Sequence, residues 1–119
     1  MIILTNNPKI KELNLEEILY KEEGYIKILE SARNLIHNNY EMLSHPLYSS
    51  IKPNETPYRT IILKHRNELD INSLLLIEQA IFTANKFIIN DKSKTYNKEV
   101  LEDFQIVDLN IIENIINKL

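Results

Sequence analysis

Cysteine is absent from the 119 residues, which excludes disulfides, a thiol nucleophile and thiolate metal sites. Whatever redox system the chain serves, it carries no electrons by thiol chemistry. Glycine occurs once, at Gly24, so no glycine-rich phosphate loop can form; asparagine is the abundant substitute for left-handed backbone. No apolar run approaches the roughly 20 residues that a membrane-spanning helix requires, and no membrane association is expected. Met1-Ile2-Ile3-Leu4-Thr5 carries no basic leader and soon meets Pro8, so a signal peptide is not expected and a cytoplasmic location is. A basic excess is also missing: 14 Lys and Arg stand against 17 Asp and Glu, net charge -3, which disfavours nucleic acid as a partner.

What is present is ordinary for a globular domain, 44% hydrophobic and 26% charged, and the length fits one domain over residues 1–119. Ile2-Ile3-Leu4 reads as a buried strand. Asn7 followed by Pro8 reads as an N-cap with proline at the first helical position, opening a short helix to about Asn14. Glu17 to Lys21 suggests a second short strand at a sheet edge. From Gly24, the spacing of Tyr25, Ile28, Leu29, Ala32, Leu35 and Ile36 predicts an amphipathic helix, stopped by Asn38-Asn39 in left-handed backbone.

Tyr40 to Ser44 and Thr60 to Lys64 read as third and fourth strands. No helix separates them, so the fourth is expected antiparallel to the third. Asp70 or Asn72 can cap a helix with Leu74, Ile77, Ile81, Ala84 and Ile88 on one stripe. Asp91 to Asn97 reads as an exposed polar connection and Lys98 to Phe104 as a helical turn. Asp108 reads as the cap of a final helix with Leu109, Ile112, Ile115 and Ile116 inward. The sum is an α/β sandwich: a short four-stranded sheet, mostly parallel or mixed, flanked by helices. Right-handed crossovers give the strand order 2-1-3-4, with a ligand site where the first and third strands meet.

That junction joins Thr5, Asn6 and Asn7 to Ser44 and His45. The first group precedes a helix N-terminus, which favours a small anion; the plainer reading is that Thr5 and Asn7 only cap. His45 can bind a ligand or, were the protein an enzyme, exchange protons as acid or base; it can equally hold its loop through a backbone bond. No catalytic set is assembled by the sequence, and an enzyme is the less expected reading. The loop from Ser44 to Tyr58 holds three of the four prolines and displays Ser49, Ser50, Lys52, Asn54, Glu55 and Thr56 as further ligand-binding candidates. Asn54 and Thr56 can instead bond their own turn, whereas Lys52 and Glu55 have no such local role. Tyr48 and Tyr58 read as anchors of the loop on the core. His37 and His65 share no ligand spacing with His45, and neither a metal nor a cofactor is expected.

Two segments, Ile3-Leu4-Thr5-Asn6-Asn7-Pro8 and Leu43-Ser44-His45-Pro46-Leu47 through Ile51-Lys52-Pro53-Asn54-Glu55-Thr56-Pro57-Tyr58, resemble the GrdX family. These are small proteins encoded with the glycine, sarcosine and betaine reductase systems of anaerobic bacteria. The resemblance runs over the whole chain and implies an accessory or regulatory role in amino-acid reduction, with reductase components or a small anionic metabolite as the expected partners. It brings no catalytic residue. A cysteine-free chain agrees with it, since such a protein would assist a selenol- or thiol-based reductase without sharing its redox steps.

Overall fold

The computed structural model describes residues 1–15, 17–47, 56–90 and 96–119. Its elements run β1 (Ile2–Thr5), α1 (Pro8–Lys11), β2 (Ile18–Tyr20), α2 (Tyr25–His37), β3 (Tyr40–Met42), β4 (Thr60–His65), α3 (Ile71–Asn90) and α4 (Lys98–Asn117). This is an α/β fold with one mixed four-stranded sheet, as the residue pattern predicts. β1 and β2 pair in parallel, while β4 is antiparallel to both β1 and β3.

The strand order is β2-β1-β4-β3, which corrects the expected 2-1-3-4. β4 stands between β1 and β3, with Thr5 facing Thr60 and Met42 facing Leu63. Burial explains the exchange. Thr60 to Leu63 is buried at every position, as is β1, so both belong in the centre where each sheet face is covered. Tyr40-Glu41-Met42 is half-buried throughout and carries a charge in its middle, a composition suited to the edge.

The alternation of strand side chains divides the interior. Ile2, Leu4, Ile61 and Leu63 face α2 and α3, where Ile28, Leu29, Ile36 and Ile77 complete the larger core. Ile3 and Ile62 face the other way, against Ile10 of α1 and Ile112 of α4. α2 and α3 are further joined at the surface by Arg33 and Glu78, 3.2 Å apart.

Most local signals act as read. Asn7 Oδ1 accepts from the Lys9 N–H, with Pro8 opening α1, although that helix ends at Lys11 and not near Asn14. Asn39 takes a positive φ of 70° after α2. Asp70 Oδ2 accepts from the Ser73 N–H at 3.1 Å and caps α3; the Ile88 side chain lies outside the described residues. The final segment departs from expectation. Lys98 to Asn117 is one helix capped by Asn97, whose Oδ1 accepts from the Val100 N–H at 2.9 Å, and Asp108 sits buried in its middle. Residues 91–95 of the expected polar connection lie outside the described set.

Candidate functional site

Thr5 and Thr60 end β1 and begin β4 on the face that α4 covers, and their hydroxyl oxygens lie 2.7 Å apart. Thr60 Oγ1 also lies 2.6 Å from Asp108 Oδ2. A hydroxyl has one proton, and an ionised carboxylate only accepts, so Thr60 donates to Asp108 and accepts from Thr5. Thr5 in turn accepts from the Asn7 N–H at 3.0 Å. The chain of bonds therefore has one direction, from the Asn7 amide to the Asp108 carboxylate. Asn7 closes it: its Nδ2 donates to Asp108 Oδ2 and to the Gln105 carbonyl, both at 3.0 Å.

Asn6 is committed in three directions. Its Nδ2 donates to the Glu23 and Pro57 carbonyls, both at 2.9 Å, and its Oδ1 accepts from the Arg59 N–H at 2.8 Å. Two carbonyl partners and one N–H partner fix the orientation of the amide without ambiguity. Arg59 itself is 2% exposed, its guanidinium carbon 4.9 Å from the centre of the Tyr25 ring. Burial raises the Tyr25 pKa above its ordinary value; the Arg59 cation opposes that rise and Asp108 adds to it.

A cleft of about 310 Å³ opens at the carboxyl ends of β1 and β2, where α/β sheets commonly bind ligands. Asn6 ties its two sides together, because Glu23 and Pro57 both line it. Tyr20, Glu22, Tyr25 and Tyr58 line it as well, and among the described residues no Lys, Arg or His does. Tyr58 is held by Gln105 of α4, whose Nε2 donates to its hydroxyl at 2.6 Å. Burial raises the Tyr20 pKa, with a further rise from Glu22, whose negative charge disfavours a tyrosinate, and a last one from the neighbouring Tyr58. A second recess, about 430 Å³, follows β4, but its Arg66 and Glu41 are paired to each other and its Asp70 caps α3.

Thr5, Asn6 and Asn7 thus meet Arg59, Thr60 and Asp108. They do not meet Ser44 and His45 across a β1–β3 boundary, since β4 intervenes. Ser44 Oγ accepts from the Ile62 N–H at 3.0 Å. His45 is exposed, with Nδ1 accepting from the Leu47 N–H at 3.0 Å. Thr56 is buried and accepts from the Tyr58 N–H in a local turn. Ser49, Ser50, Lys52, Asn54 and Glu55, together with Tyr48, lie outside the described residues. Arg59, Asp108 and the tyrosines of the cleft were missed. The available signals were an arginine separated by only Thr60 from a continuous apolar run, and a carboxylate four residues before Ile112 on the inward stripe of α4.

No group of His, Cys, Asp and Glu suited to a metal ion occurs among the described residues, and none of their helices is long and apolar enough to cross a membrane. Fold and site together define a small α/β protein with a mixed sheet and a closed polar network at the carboxyl end of its first strand. The chain belongs to the family described as GrdX-like protein, which it matches over residues 2–117, and that membership implies association with glycine reductase systems. Neither the comparison with curated proteins nor that with solved structures gives a match.

Proposed function

We propose that this chain is a non-enzymatic accessory or regulatory protein of a glycine, sarcosine or betaine reductase system. It binds a small metabolite or a reductase component at the carboxyl end of the β1–β2 pair. One observation carries the non-enzymatic part. Thr5, Asn6, Asn7, Ser44 and Thr56 each engage their side chains in bonds within the chain, and among the described residues none of the three hydroxyls is bonded to a histidine or other base that would activate it as a nucleophile. His45 as an acid or base draws no support from an exposed ring engaged with its own loop. An anion at α1 draws little either: that helix has four residues and its cap is supplied by Asn7.

Two measurements test the reading. Affinity-tagged chain expressed in the native host should copurify with reductase components, and replacing Lys52 and Glu55 by alanine should weaken that recovery if the 44–58 loop makes the contact. Glycine, betaine, acetyl phosphate and phosphate at millimolar concentration should be screened for a rise in melting temperature. The accessory reading fails if no reductase component is recovered and no compound stabilises the fold.

A further inference from the structure

The cleft at the ends of β1 and β2 has a chemical bias of its own. Its described lining holds Tyr20, Tyr25 and Tyr58 with Glu22 and Glu23, and no basic side chain. Neither glutamate forms an ion pair with a described residue. Asn6, the one amide side chain in the described lining, is used up between Glu23, Pro57 and Arg59. Among the described lining residues, what remains to recognise a ligand besides the apolar Pro8, Pro57 and Leu101 is aromatic surface and carboxylate. An anion entering would face two negative charges with no cation in the described lining to offset them, whereas a cation meets both attractive elements at once.

Two of these rings already hold cations from the protein. Lys11 Nζ lies 4.8 Å from the centre of the Tyr20 ring, and Arg59 packs on Tyr25. Neither cation lines the cleft. The size suits a small guest, since about 310 Å³ stands at the lower end of ligand pockets.

The geometry points to a binding site for a small ammonium compound, a protonated amine or a quaternary ammonium, held between Tyr20, Tyr58 and the Glu22 and Glu23 carboxylates. This inference deepens the ligand part of the proposed function and rests on it. Tyr20 and Tyr58 supply the aromatic surface, and the exposed glutamates supply charge at the opening.

Gly24 lines the cleft and is the only glycine, so its amide is an identifiable reporter in a ¹H–¹⁵N spectrum. Tetramethylammonium chloride and methylammonium chloride are titrated at constant ionic strength, with sodium chloride and sodium acetate as controls. A saturable shift of the Gly24 resonance with at least one ammonium salt, and none with acetate, is the expected result. Glu22→Gln and Tyr20→Leu should each weaken binding roughly three- to thirty-fold, while Tyr20→Phe retains it. Glu22 is exposed, so E22Q tests the site even if Y20L impairs folding. Absence of saturation with both ammonium salts, or an equal response to acetate, overturns the inference. Recovery of reductase components is measured separately, so losing the ammonium site would leave the accessory reading intact.

Discussion

Thr60 has one hydroxyl proton and donates it in a hydrogen bond to Asp108, and the rest of the network follows in a fixed direction. Removing the acceptor therefore strands several donors at once. Asp108→Ala should lower stability by about 3 kcal/mol in urea denaturation, because Thr60 and Asn7 lose a charged acceptor in a buried setting. Asp108→Asn keeps an oxygen in place and should cost clearly less. Tyr25 presents a different case: its hydroxyl is buried beside the Arg59 guanidinium, yet no hydrogen bond of standard geometry holds it among the described residues. Tyr25→Phe should therefore be neutral or mildly stabilising at pH 7. Because burial raises the folded pKa above the ordinary 10.0, the unfolded chain releases this proton first as pH climbs. The contribution is intact below the unfolded value and is lost as pH rises through the folded one. The denaturation midpoint of the wild type should fall above pH 10 more steeply than that of the Tyr25→Phe variant.

Helices were the most legible elements because period and caps reinforce each other. Tyr25, Ile28, Leu29, Ala32 and Ile36 are all buried on α2, and the turn that ends it is the one its paired asparagines suggest. Asn39→Ala should cost about 1 kcal/mol, since alanine pays the left-handed penalty that asparagine tolerates, and Asn39→Gly should be close to neutral. At the start of α4, Asn97→Ala should cost about 1 kcal/mol by leaving the Val100 N–H without its cap. Both are read from chemical denaturation. Asp108 shows why caps mislead when taken alone. An aspartate before a run of isoleucines has the same local appearance whether it ends a loop or lies within a helix, and its partners Thr60 and Asn7 are 48 and 101 residues away. Strand order was less legible for a related reason: crossover rules rank arrangements but do not weigh which strand can bear burial on both faces. The continuous Ile61-Ile62-Leu63 run, set against the charged Tyr40-Glu41-Met42, carried that information.

The two faces of the sheet are not equally defended. Among the described residues, the face beneath α2 and α3 holds twelve buried core residues and the face beneath α1 and α4 four. On α4 only Asp108 and Ile112 are buried, so that helix depends on a few contacts and one polar network. Its amides should exchange with solvent faster than those of α2, β1 and β4, which hydrogen exchange followed by NMR can resolve. The polar group at the end of β1 could be read as a site from Thr5, Asn6 and Asn7, but its outer half could not, because that half arrives from α4 and from the residues just before β4. The placement of β4 also has a temporal consequence. β1 can pair with β2 as soon as Tyr20 has been made, yet its other edge stays open until Thr60 to Leu63 emerges from the ribosome, and Thr5 and Thr60 are separated by 55 positions. Closing that long interval is the slow, non-local event of folding, and until it occurs an apolar strand edge is free to pair with another nascent chain.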